Sequence, residues 1–155
     1  MVYVFDSSTL INIFKHYYKS VFQTFWDNFN ELIDRKSILS VREVRNELER
    51  RTDILTEWVK NNKSIFTEPT VEEQDFIHKI YQVRHFQNNI NRKHILNGKP
   101  VADPFVIAKT KVSNGTVVTG EYYKENSANI PNICEHFNIR CMNLETFMQS
   151  LNWIF

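Results

Sequence analysis

Three glycines and four prolines in 155 residues leave little material for flexible linkers, so residues 1–155 are expected to form a single domain. No apolar run approaches the ~20 residues of a membrane-spanning helix. The N-terminus lacks the basic region and long apolar stretch of a secretory signal, and the protein is expected in the cytoplasm, with no membrane partner. Two cysteines, Cys134 and Cys141, make no disulfide framework. His136 lies between them, but a structural zinc site wants four ligands and nothing nearby completes the set. They are expected to be buried thiols. A formal net charge of +1 excludes global attraction to a polyanion, so any nucleic-acid role needs a local basic face.

Large aromatic side chains, by contrast, are plentiful: 12 Phe, 6 Tyr and 3 Trp can fill the core of a chain this long. Val2 to Phe5 is too short for a helix and rich in strand formers, which predicts a buried strand. Asp6, Ser7 and Ser8 follow it, and a helix is predicted from Ser8 to about Lys19, with a second to about Asp34. A short strand is predicted over 37–40, then one long helix from about Val41 to Asn61. Ile65-Phe66 is a further short strand candidate. Thr70 with Glu73 is a capping-box pair opening a helix through Val83. Residues 84–99 are polar and basic and are expected to be a solvated helix end and loop. Asp103 is expected to cap a helix with Pro104 at its first position. A strand over 116–119, a short helix from Ile130 to Phe137, a strand over 139–142 and a last helix to Leu151 close the chain. Strands alternating with helices predict an α/β fold, three-layer α/β/α with a parallel sheet of four or five strands.

In such a sheet the carboxyl ends of the strands build the site. Asp6 follows the first strand, Asp103 opens a helix, and Glu121 lies two residues beyond the strand over 116–119, so all three are expected at one edge. The helix after residue 41 carries Glu43 and Glu47. Projected at about 100° per residue, Glu47 falls about 60° from the apolar stripe of Val41, Val44, Leu48 and Leu55, and Glu43 about 100° from it. Glu47 is therefore expected to face a cleft and Glu43 solvent. Each acid alone reads most simply as a cap or surface charge. Crowded carboxylates, however, resist ionisation unless a cation joins them, and oxygen-only ligands select Mg²⁺ or Mn²⁺. Such an ion can activate water toward a phosphodiester.

Four stretches resemble, in order, the motifs of the PIN-domain family: Val4-Phe5-Asp6-Ser7-Ser8, Val44-Arg45-Asn46-Glu47-Leu48, Ala102-Asp103-Pro104-Phe105-Val106-Ile107-Ala108 and Val117-Val118-Thr119-Gly120-Glu121. The resemblance continues through Ile130-Pro131-Asn132-Ile133-Cys134 and the closing strand and helix, and is weakest from about Lys60 to Lys99. That family includes metal-dependent ribonucleases, among them VapC-like toxins of toxin–antitoxin pairs. The resemblance implies an acidic catalytic set of Asp6, Glu47, Asp103 and Glu121. Asp6, Asp103 and Glu121 would hold Mg²⁺ or Mn²⁺, with Ser8 and Thr119 as hydroxyls near it. The chain departs from the family at Glu121, where Asp is commoner, and at Val41, where Pro is expected. The resemblance further implies an RNA substrate, a homodimer and a small protein antitoxin.

A cleft of carboxylates repels phosphate, so RNA would need flanking cations. Candidates are Arg42, Arg45, Arg50 and Arg51, and Arg84, Arg92, Lys93 and Lys99. The run Ile11, Phe14, Tyr17, Tyr18, Phe22, Phe25, Trp26 and Phe29 holds more aromatic surface than one helix face hides, offering either interface anchors or core. Two other functions compete. A catalytically inactive PIN-like protein-binding module would need none of the four acids. A haloacid-dehalogenase-like phosphatase would need a second Asp two residues after Asp6, where Ser8 stands.

Overall fold

The computed structural model describes residues 1–97 and 101–155. Five strands form one parallel sheet in the order β3-β2-β1-β4-β5. They are β1 (Tyr3–Phe5), β2 (Ile38–Val41), β3 (Phe66–Thr67), β4 (Thr116–Val118) and β5 (Arg140–Met142). Strand β1 is central, with Val4 opposite Leu39 on one side and Val117 on the other. Because side chains alternate along a strand, Tyr3 and Phe5 share a face. There Phe5 meets Phe29 of α2 (Gln23–Asp34), and the rings of Tyr3 and Phe5 both meet Phe147 of α9 (Leu144–Ser150), edge to face at 4.8–5.8 Å. On the other face Val4 is fully buried, and α7 (Asp103–Ser113) packs on β1 and β2. Helices on both faces make the three-layer α/β/α architecture expected of a PIN-like fold.

The aromatic run resolves mostly inward. Phe25, Trp26 and Phe29 are buried, and Phe25 stacks on Tyr17 and meets Trp153 edge to face. Among the described residues of that run only Tyr18 stands largely exposed.

The long helix expected over 41–61 is two helices, α3 (Arg42–Leu48) and α4 (Ile54–Asn61). The break has a local cause. Asp53 caps α4 by accepting from the Thr56 amide, and the Thr56 hydroxyl reaches back to the Leu48 and Arg51 carbonyls. Those bonds satisfy the carbonyls at the end of α3 and the amides at the start of α4. Val41 belongs to β2 and precedes the helix.

The capping box at Thr70 and Glu73 is present, opening α5 (Val71–Gln82). The polar segment that follows is a helix rather than a loop: α6 (Arg84–Asn97) buries Phe86 and Ile90. Two apolar residues four apart fix one helix face, a signal diluted in the sequence by the polar residues around them. The remaining helices are α1 (Ser7–His16) and α8 (Ile130–His136). Among the described residues no helix is long and apolar enough to cross a membrane.

Candidate active site at the carboxyl edge of the sheet

Asp6 leaves β1 in extended backbone and begins α1 as its cap, so the ordinary role of an Asp in that place is fulfilled: Oδ1 accepts from the Thr9 amide at 2.9 Å. Two further donors converge on the same carboxylate. The Thr119 hydroxyl donates to Oδ2 at 2.6 Å, and the Ser8 hydroxyl lies 2.9 and 2.8 Å from the two oxygens. Asp6 is 5% exposed. Burial pushes its carboxyl above the ordinary range, and the bonds from Thr119, Thr9 and Ser8 work against that rise. The surrounding backbone is tied as well, with Thr9 donating to the Val118 carbonyl and Ser40 to the Phe5 carbonyl.

The expected strand end at residue 119 is one residue earlier, and Thr119, Gly120 and Glu121 form the turn leaving β4. The Gly120 amide donates to Ser8 Oγ, and a Cβ built on Gly120 would sit 3.1 Å from that oxygen, so glycine lets the two turns approach. The Glu121 amide donates to Thr119 Oγ1. The Glu121 carboxylate also has a structural role. Its Oε2 accepts at 2.7 Å from the Ile130 amide, the first amide of α8, whose cap residue Asn129 makes no side-chain bond to it. A negative charge there also suits the positive end of the helix.

Beneath this turn lie the two thiols. Cys134 is buried, as expected, and Cys141 half-buried. Hydrogen bonding to Cys141 and then burial push the Cys134 thiol up. The hydrogen bond with Cys134 pushes the Cys141 thiol down, while burial and the charges of Asp6 and Glu121 work against that fall.

A second pair of acids forms on the other side of β1. Glu47 of α3 is half-buried, and burial is the main cause of its raised carboxyl. The negative charge of Asp103 raises it further. The Ser7 hydroxyl, the Ala102 amide and the Arg50 charge work against that rise. Asp103 is the first residue of α7 rather than its cap, which is Ala102, and Pro104 takes the second position. Ser7 and Ala102 are thus site residues that the sequence pattern does not single out. Ser7 stands between two residues that carry a motif, and a backbone amide leaves no trace in sequence.

Glu43 does not face solvent. It is 7% exposed, with Oε1 at 2.9 Å from Arg42 and Oε2 buried without a hydrogen-bond partner. The projection fails because α3 packs against α1, α4 and β3 as well as β2, so more than the single apolar stripe of the helix is covered.

The cations on this segment are largely engaged. Arg42 pairs with Glu43, Arg45 with Glu49 at 3.8 Å and Arg51 with Asp53 at 3.0 Å. Arg92 is exposed on α6; the side chain of Lys93, and all of Lys99, lie outside the described residues. Two clefts open at the edge. One of about 380 Å³ is lined by Thr119, Glu121 and the two cysteines, and one of about 610 Å³ by Ser8, Thr9 and Gly120. Among the described residues no three His, Cys, Asp or Glu side chains are gathered as a ready-made metal cage. The donors at the edge are nevertheless carboxylate and hydroxyl oxygens, and Mg²⁺ is commonly held by one or two carboxylates with water completing its shell. The residues fit such a sparse site.

Comparison with known proteins agrees with the architecture. Residues 3–155 match the model of the family described as "Domain of unknown function (DUF4411)", and the chain belongs to that family. No curated protein matches it. Among solved structures, VapBC2 from Rickettsia felis, bound to a DNA fragment from its promoter, is similar in fold with a TM-score of 0.53 and 14% identity. That match covers 92% of this chain and 98% of the other. PAE2754 from Pyrobaculum aerophilum gives a TM-score of 0.49 at 16% identity, covering 98% of this chain and 90% of that one.

Proposed function

We propose that this member of the DUF4411 family is a Mg²⁺- or Mn²⁺-dependent ribonuclease that hydrolyses RNA phosphodiesters, and that it is the toxin of a toxin–antitoxin pair. The observation that carries the reading is Asp6. A carboxylate is costly to bury, yet this one sits at the carboxyl edge of the central strand with donors from three residues fixing both oxygens. Glu47 and Asp103 are close enough for their charges to interact. The likeness in fold to VapBC2 supports a PIN-like architecture for such a nuclease.

In this scheme Asp6, Asp103 and Glu121 would hold the cation. The bound ion would supply charge neutralisation at the phosphate and lower the pKa of water. The chain's own residues do the rest. Thr119 and Ser8 hold the Asp6 carboxylate in one orientation, which the cap bond to Thr9 alone would leave free to tilt. Glu47, whose raised pKa brings it nearer the working range of a general base, takes the proton of the attacking water. Ser7 and the Ala102 amide favour its ionised form. Glu121 ties the turn to α8, so a shift of that helix would move the acid. Arg45, Arg92 and Lys93 would hold the RNA backbone.

By the same reading the partners are an RNA substrate, a small protein antitoxin and a second copy of the chain. An antitoxin presenting Arg or Lys to the acids would neutralise them and compete with the cation. A catalytically inactive protein-binding module is the competing reading, favoured by the absence of a ready-made three-ligand cage among the described residues. One experiment separates the two: RNA cleavage by the purified chain with Mg²⁺, with Mn²⁺ and with excess chelator. Cleavage that disappears in chelator and in Asp6→Asn supports the nuclease. Cleavage untouched by both, or absent with either ion, overturns it.

A further inference from the structure

Immediately after Glu121 stand two tyrosines with their rings in the open. Tyr122 is 77% exposed and Tyr123 58%. Consecutive exposed aromatics usually sit on a pliable loop; here the backbone is pinned on every side. Asn129 Nδ2 donates to the Tyr122 carbonyl at 3.0 Å. The side chain of Asn132, buried in α8, accepts from the Lys124 amide and donates to the Lys124 carbonyl at 3.2 and 2.6 Å. Glu121 is fastened to Ile130 before them. Among the described residues, neither ring stacks on another aromatic and neither hydroxyl makes a hydrogen bond. The loop is held and the rings are left over, which is how a preorganised contact surface is built.

Their placement names the occupant. Tyr122 walls both clefts at the acidic edge, the one lined by Glu121 and the one lined by Ser8. Tyr123 walls the first of these and a third cleft of about 420 Å³, where His85 and His136 also lie. Whatever has a phosphate at Asp6 and Glu121 must therefore pass its next groups over these rings. A duplex hides the faces of its bases, so only an unpaired nucleotide offers a ring to stack on an aromatic side chain. Lys124, exposed next in the chain, supplies a cation for the neighbouring phosphate.

We infer that Tyr122 and Tyr123 are a base-stacking platform that makes single-stranded RNA the substrate of the acidic site. The inference rests on the ribonuclease reading for its choice of RNA, and it assigns these tyrosines to substrate positioning rather than to chemistry.

The test is binding without turnover. Single-stranded RNA carrying 2-aminopurine, whose fluorescence falls on stacking, is titrated with the wild-type chain in excess chelator, beside the same sequence as a duplex. Cleavage of both is measured separately with Mg²⁺. The wild type is expected to quench the single strand and bind it in preference to the duplex. Tyr122→Ala and Tyr123→Ala should each weaken single-strand binding about fivefold to a hundredfold. Tyr→Phe at either position should retain binding, and Tyr→Leu, apolar but unable to stack, should not. Alanine variants that bind and quench like wild type overturn the inference, and do so without touching the ribonuclease reading if wild type cleaves. Wild type that stacks RNA through these rings yet never cleaves it removes the nuclease and, with it, the substrate role inferred here, leaving the rings as an RNA-binding surface only. Unchanged RNA binding with weakened binding to the neighbouring gene's protein product would hand the pair to a protein interface and overturn it too.

Discussion

The Thr119 hydroxyl donates to Asp6 Oδ2 at 2.6 Å, joining residues 113 positions apart. Through that one bond the turn after β4 holds the carboxylate that ends β1. The same oxygen, Thr119 Oγ1, accepts from the Glu121 amide, so the orientation of Asp6 and the path of the chain into Glu121 are set together. Replacing Thr119 by Val keeps the shape and removes the donor. Cation affinity and cleavage should both fall about 10- to 100-fold, the usual cost of losing a group that orients a ligand. Metal titration by thermal shift, alongside the cleavage assay, measures each; wild-type values in both would leave Thr119 with a purely structural role.

Asp6→Asn should abolish cleavage and the stabilisation that Mg²⁺ or Mn²⁺ gives to the wild type. A ligand that binds only the folded state raises the melting temperature by mass action. Because the Asp6 carboxyl is held above the ordinary range, protons compete with the cation there earlier than at exposed acids. The wild-type shift should therefore be large at neutral pH and fade as pH drops toward the ordinary carboxylate range. A shift independent of pH, or one retained in Asp6→Asn, would place the ion elsewhere.

Glu47→Gln separates rate from stability. The Glu47 carboxyl is raised from an ordinary value of 4.5. Its contribution to stability is fully present below 4.5, where folded and unfolded chains both carry the proton, and is lost as pH rises through the folded value. Gln never ionises, so in the absence of metal the variant should be more stable than wild type at about pH 7, with the gain vanishing below pH 4.5. Cleavage should fall about 10²- to 10⁴-fold, as expected for loss of a general base. Glu43→Gln should reduce cleavage far less, because Glu43 pairs with Arg42 and acts on the packing of α3. Melting curves across pH and single-turnover rates decide; a larger rate loss in Glu43→Gln would reassign the base.

Glu121 serves two purposes that different substitutions can split. Glu121→Ala removes the acceptor for the Ile130 amide and should cost ~1 kcal/mol, seen as a melting temperature lower by about 2–4 °C. Glu121→Gln keeps an acceptor oxygen and should melt within about 1 °C of wild type. Both should lose activity if the carboxylate also serves the cation. Full activity in Glu121→Gln would confine it to helix capping.

Substituting Arg92 and Lys93 together by Ala should weaken RNA binding and flatten its dependence on log salt by about 1.4, which is ~0.7 for each phosphate contact to a single strand. Metal affinity should not change. An unaltered slope would make Arg92 an ordinary solvated charge of α6.

Local pattern was enough for the architecture. Strand-forming runs ending in polar turns located every strand to within a residue or two, and the Thr70–Glu73 pair opened α5 because capping is a bond between near neighbours. Asp6 could be placed at the edge of the central strand because parallel strands share one direction. What the local pattern could not carry was whatever depends on distant partners. The break between α3 and α4 comes from Thr56 reaching back to Leu48, and the burial of Glu43 from the several elements that pack around α3. Among the described side chains, the helix at 84–97 rests on burying Phe86 and Ile90 between polar neighbours. The second role of Glu121, and the part of Ser7 and the Ala102 amide in the ionisation of Glu47, are contacts between turns far apart in the chain or next to a motif residue. Residue type and spacing record what a side chain can do; only the packed sheet edge decides which partner meets it, because that choice is made by burial and hydrogen bonding across elements that sequence spacing does not relate.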